Sequence, residues 1–223
     1  MADARDRPHD RLIGALAANL QPVRPLWSPP LRALIWLALV VVLAVALAAF
    51  ANLAAMWHRL MATPDMWLAV IGSAATAVAA AFAAFELSLP DRSRAWALLP
   101  LPAFALWLGA SGLGCLRAYI LPGTHVAAMG ETRDCLIFIV GLSVPLSAAL
   151  IFMLRRAYTL APGLTATMAG LASAAAAATL LNFFHPYDAA ATDLAVHLVA
   201  VGIVVLALRA VGARALQSFP SEL

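Results

Sequence analysis

Six apolar runs, each long enough to cross a lipid bilayer, constrain this chain more than anything else in it. They are Leu34–Leu53, Met66–Leu87, Trp96–Leu116, Cys135–Leu154, Leu164–Phe184 and Leu194–Val211. A spanning helix needs roughly 20 mostly apolar residues. In lipid the backbone must satisfy its own hydrogen bonds, so a continuous apolar run of that length is read as a helix. The breaks between the runs carry helix-ending punctuation at Pro64-Asp65, Pro90-Asp91, Pro122-Gly123, Pro162-Gly163 and Pro186. Composition agrees: 64% of the residues are hydrophobic and only 11% charged, against about a quarter charged in soluble domains. The expected fold class is all-α, an integral membrane bundle of six transmembrane helices preceded by a short amphipathic helix. The chain divides into an N-terminal segment, 1–31, a six-helix domain, 32–214, and a tail, 215–223.

Arginine sets the orientation, since all fourteen basic residues are Arg. Arg5, Arg7, Arg11, Arg24 and Arg32 precede or open the first span. Arg92, Arg94, Arg155 and Arg156 lie in the second and fourth loops, and Arg209 and Arg214 at the C-terminal end. The opposite face holds only Arg59, Arg117 and Arg133. Cytoplasmic loops carry the basic excess, so both termini are expected in the cytoplasm. The first thirty residues lack the short early apolar core of a secretory signal, so no cleavage is expected. Trp27, Trp36, Trp57, Trp67, Trp96 and Trp107 lie mostly near span ends, as an interfacial aromatic belt requires. Gly72-Ser73-Ala74-Ala75 and Ala174–Ala178 bring small residues that permit close helix approach.

The N-terminal segment reads as a helix over Asp10–Leu20. Leu12, Leu16 and Leu20 repeat every four residues with Ile13 beside them, Asp10 stands where it could cap the start, and Pro22 closes the run. About eleven residues are marginal as a helix in water alone. Such a segment fits a partner's groove, a membrane surface, or a simple lead into the first span. On the outer face, Asp193 and His197 share a helix face four residues apart, with His185 and Asp188 in the loop before them. This set can form an interhelical hydrogen-bonded knot, bind a divalent metal or sense protons. Cys115 and Cys135 both lie near outer span ends, where they can pair or remain two buried thiols. Glu86, beside Asp91, Arg92 and Arg94, is read as interfacial. No HExxH zinc motif, phosphate-cradling loop or nucleophile with a positioned base is present. No cofactor, no resident metal site and no enzymatic activity are expected.

Four stretches together resemble the NrsF family of bacterial membrane anti-sigma factors. They are Leu12-Ile13-x-x-Leu16 followed by Pro22-Val23-Arg24, then Pro90-Asp91-Arg92-Ser93-Arg94 with Trp96, then Cys135-Leu136-x-Phe138-Ile139 leading to Ser143-x-Pro145, and His185-Pro186-x-Asp188 with His197. The resemblance implies a six-helix protein that holds an extracytoplasmic-function sigma factor inactive and releases it on an envelope stress signal. It implies binding through the N-terminal segment, by Arg11, Leu12, Ile13, Leu16, Leu20, Val23 and Arg24, with no direct contact to nucleic acid. It also implies an outer-face cysteine pair sensing oxidants or heavy metals. Cys135 stands at the first position of that pair, whereas His185 or Pro186 occupies the second. The departure leaves Cys115, or the set His185, Asp188, Asp193 and His197, as the remaining sensing candidates. A different class of function, a small transporter or metal-handling protein built on the His/Asp set, competes with this reading.

Overall fold

The computed structural model describes residues 8–18, 25–62, 64–120, 129–157, 159–184 and 191–217. Among them there is no strand, and the helices are α1 (Pro8–Ala18), α2 (Pro29–Ala48), α3 (Leu53–Ala62), α4 (Pro64–Leu87), α5 (Leu101–Ile120), α6 (Met129–Leu154), α7 (Pro162–Leu181), α8 (Ala191–Ala207) and α9 (Ala213–Gln217). A 3-10 helix over Arg94–Leu98 leads into α5, and a π-helical turn over Leu208–Gly212 joins α8 to α9. Among the described residues six helical stretches are long and apolar enough to cross a membrane, so the chain is a multi-pass membrane protein.

These spans match the apolar runs, with two informative differences. Pro29 and Pro30 start α2 early, because proline suits the first helical positions. The helix stops at Ala48, five residues short of the expected end, and a separate helix, α3, follows. The Asn52 side chain opens α3 by accepting a hydrogen bond from the Ala55 N–H at 3.1 Å. Leu53, Trp57 and Met61, spaced four apart along α3, are all exposed. A ten-residue helix with that stripe suits the bilayer surface rather than its interior.

Helix α7 is the axis of the bundle. It packs against α4, α6 and α8, while α5 lies on α4 and α8, and α2 lies mainly on α4. Nearly all of α7 from Thr165 to Leu181 is buried. Its run Ala174–Ala178 explains why: lipid offers no hydrophobic gain for helix association, so small side chains and close approach must supply it. Two glycines mark the closest crossings. A Cβ at Gly72 would lie 2.7 Å from the backbone N of Trp107 on α5, and one at Gly170 would lie 2.9 Å from Cα of Val205 on α8. Thr179 Oγ1 donates to Ser73 Oγ at 2.9 Å, linking α7 to α4 within the apolar interior.

The aromatic belt needs correcting. Trp36 (0% exposed) and Trp107 (7%) belong to the core. Trp27, Trp57 and Trp67 are exposed, as a belt requires, and Trp96 is half-buried. Proximity to a span end in sequence does not say which side of the helix faces lipid, and these two indoles face neighbouring helices.

Candidate functional site

Three regions carry the residues singled out above. The first is the N-terminal arm. Helix α1 starts at Pro8, two residues before the expected boundary, so Asp10 lies inside the helix and is not its N-cap. Leu12 (59% exposed), Ile13 (63%) and Leu16 (62%) form an apolar stripe on it, and every side chain from Leu12 to Ala18 is exposed. The Arg11 side chain and all of Leu20, Val23 and Arg24 lie outside the described residues. Leu26 and Trp27, just before α2, extend the exposed apolar surface.

The second region is the arginine-rich end of the bundle, where α2 begins and α4 and α6 finish. Arg32, one of the arginines that set the orientation, is the fourth residue of α2 and only 4% exposed. Its guanidinium donates to the Met153 carbonyl and, at 3.4 Å, to Ser88 Oγ, and it lies 4.8 Å from the centre of the Phe85 ring. The Met153 carbonyl is among the last four of α6, which have no partner within their own helix. An arginine there satisfies the acceptor and complements the negative end of the helix dipole. The carbonyl of Leu87 at the end of α4 accepts from Thr159 Oγ1 at 2.9 Å and Thr165 Oγ1 at 3.2 Å. Glu86, at the end of α4, is buried and places Oε2 3.1 Å from Arg92 Nε. Arg94, Arg155 and Arg156 remain exposed. Sequence reasoning missed this node. The available signal was the spacing of Arg32, Ala33 and Trp36, which puts all three on one face of α2.

The third region is the opposite end. Cys135 is a free thiol, 6% exposed, packed with Ile139 of α6, Ala177 and Leu181 of α7 and Ala200 of α8. Phe138, one turn along α6, meets the ring of Phe184 with centroids 5.8 Å apart. His197, half-buried, lies three residues before Ala200 on α8. His185 and Asp188, and the side chains of Asp193 and Cys115, lie outside the described residues. Among the described residues no three His, Cys, Asp or Glu side chains come together as metal ligands. A cavity of about 600 Å³ opens here, lined by Phe50, Asn52, Ala55, His58, Phe183 and Phe184; no motif in the chain points to it.

Burial governs what Cys135 can do. A thiol enclosed by apolar side chains is a poor nucleophile, because thiolate chemistry needs polar surroundings and access. In a Cys115→Ser background, a water-soluble maleimide is expected to label Cys135 at least roughly tenfold more slowly in the folded protein than after denaturation. Equal rates would place the thiol at the surface and overturn this arrangement.

A family model described as NrsF, negative regulator of sigma F, matches residues 16–217. The match takes in all six spans and Leu16 of the arm, while Leu12 and Ile13 precede it. No curated protein and no solved structure matches the chain.

Proposed function

The chain belongs to the NrsF family, the negative regulators of sigma F, and from that premise we propose a membrane-embedded anti-sigma factor. Its N-terminal arm holds an extracytoplasmic-function sigma factor away from RNA polymerase core and releases it on an envelope stress signal. The observation that carries this reading is the exposed stripe of Leu12, Ile13 and Leu16 on a helix too short to be stable alone. Such a helix gains both order and burial by entering an apolar groove. Arg11 and Arg24, with Leu20 and Val23, would extend the contact toward acidic sigma surface. The excess of arginine on one face supports an inner-membrane location with both termini in the cytoplasm, which places the arm where a sigma factor can reach it.

Sensing then falls to the opposite end of the bundle. Cys135 and His197, with Cys115, His185, Asp188 and Asp193, are the residues through which a signal would act. Release requires the signal to favour one helix arrangement over another by a few kcal/mol, since a ligand that binds both states equally shifts nothing. A regulator of this kind needs no catalytic machinery, and no enzymatic step is assigned to it.

The test is co-purification of the full-length protein with the sigma factor encoded beside it, against a chain lacking residues 1–25. Retention by the full chain and loss on deletion are the expected results. Retention by the truncated chain would move the contact away from the arm. No binding by a folded full-length protein would abandon the anti-sigma reading for a transport or metal-handling one.

A further inference from the structure

The arm precedes α2 in the chain, so the start of α2 sets where the arm is tethered to the bundle. Yet α2 is lightly held. Only Arg32, Ala33 and Trp36 are buried along it, all at the end next to the arm, and most of the remainder faces outward. The two larger residues both reach to α6, and both bond to its backbone. Arg32 donates to the Met153 carbonyl, and Trp36 Nε1 donates to the Leu146 carbonyl at 3.1 Å. These acceptors are seven residues apart, about two helical turns or ~10.5 Å along the axis. Because the acceptors are main-chain atoms, the two bonds respond to where α6 lies and not to a rotamer. The Phe85 ring of α4 and the hydroxyl of Ser88, just past its end, hold the guanidinium in place while it does so.

Helix α6 has reason to move. Cys135 sits at its other end, eighteen residues from Met153, or about 27 Å at 1.5 Å per residue, close to the thickness of the bilayer core. Between them is Pro145, which removes one backbone hydrogen bond and makes the helix easier to bend just before Leu146. On either side of that proline the hydroxyls of Ser143 and Ser147 are buried without a hydrogen-bond partner, as is that of Ser173 on the adjacent α7. A buried hydroxyl without a partner gains a bond by any shift that supplies one. The α6–α7 contact seen here therefore leaves hydroxyls unbonded on both sides of the proline, where the helix is least constrained by its own backbone bonds.

We infer that Arg32 and Trp36 form a two-point clasp between α2 and α6, through which displacement of α6 shifts α2 and resets the arm. Neither residue touches the sigma factor; both are positioning residues. The inference rests on the anti-sigma reading and adds the route from sensing end to arm.

The test uses full-length protein in cells carrying a reporter of sigma-dependent transcription, with the amount of membrane-inserted protein measured alongside. Arg32→Ala is expected to raise reporter output without the inducing signal, within the roughly 5- to 150-fold range of ordinary allosteric couplings. Arg32→Lys keeps a charged donor and should restore most repression, whereas Arg32→Met, which keeps much of the volume but no donor, should not. Trp36→Phe keeps the ring, drops only the N–H, and should give a smaller rise. Combining Arg32→Ala with a charged substitution on the arm should add little, because both act on one contact. Full repression by Arg32→Ala at wild-type protein level, with the sigma factor still co-purifying, overturns the clasp and leaves the anti-sigma reading standing. If Arg32→Ala does not accumulate, Trp36→Phe decides, and wild-type repression by that variant overturns the clasp equally. Failure of the wild-type protein to bind the sigma factor is a separate result and removes the anti-sigma reading itself.

Discussion

Leu12→Asp and Leu16→Asp together are expected to turn sigma-dependent transcription fully on, to the level of cells lacking the protein. Each leucine transferred from water into a partner's groove contributes about 1.5–3 kcal/mol. Losing both removes on the order of 4 kcal/mol, before the added cost of placing carboxylates against apolar surface. At 1.4 kcal/mol per tenfold, affinity falls on the order of a thousandfold. The bundle should be indifferent. Both side chains are already exposed on α1, so their replacement leaves the membrane core untouched. Thermal unfolding of the purified variant in detergent should therefore match the wild type, while the sigma factor no longer co-purifies. Unchanged repression by a double Asp variant at normal level would remove α1 from the binding site. Because Leu12 lies before the family match and Leu16 opens it, the single variants also report whether the stretch preceding the match takes part.

The spans were legible because bilayer thickness imposes a length that few other structures need, and six runs of the chain meet it. Helix α3 was not, because Leu53, Met56, Trp57, Leu60 and Met61 make a stripe only ten residues long, directly beyond an apolar run that absorbs its first residue. The stripe on α1 was legible from four-residue spacing, but its start was not, since Pro8 and Asp10 both suit the first turn. Arg32 and Trp36 show where reading by position alone fails. An arginine at the edge of an apolar run is ordinarily a topology marker, and a tryptophan there is ordinarily an anchor. Here the carbonyls of Met153 and Leu146, more than a hundred residues away, turn both inward. Cys135 is a similar case. Its place at a span end left pairing with Cys115 and burial both open, and its burial against Ala177, Leu181 and Ala200 depends on three helices meeting. The candidate sensing end was legible only as a list of residue types, because what they do depends on which neighbours they face.

The same substitution at two glycines should have opposite effects, and the comparison tests the helix arrangement on which the proposed mechanism depends. Gly170→Ala places a methyl group 2.9 Å from Cα of Val205 and 3.4 Å from the Val204 carbonyl oxygen. Both obstacles are backbone atoms, so no rotamer change relieves the overlap and α7 and α8 must part. Forcing an extra methyl into a close-packed interior costs about 1–3 kcal/mol, and the rigid backbone opposite puts this site at the upper end. That outweighs the gain of about 1 kcal/mol that Ala has over Gly in a helix. Gly202→Ala, on α8 itself, meets nothing within 4 Å, so only the helix gain remains and the variant should be neutral or slightly more stable. Thermal unfolding in detergent should therefore fall for Gly170→Ala and hold or rise for Gly202→Ala; equal midpoints would mean that α7 and α8 do not cross this closely. Sigma binding follows a different rule. The clasp joins α2 to α6 and does not involve α8, so Gly170→Ala should still repress at temperatures where it remains folded. Release that tracks unfolding would mark Gly170 as a packing residue, whereas release from a fully folded variant would place the α7–α8 crossing on the signalling route as well.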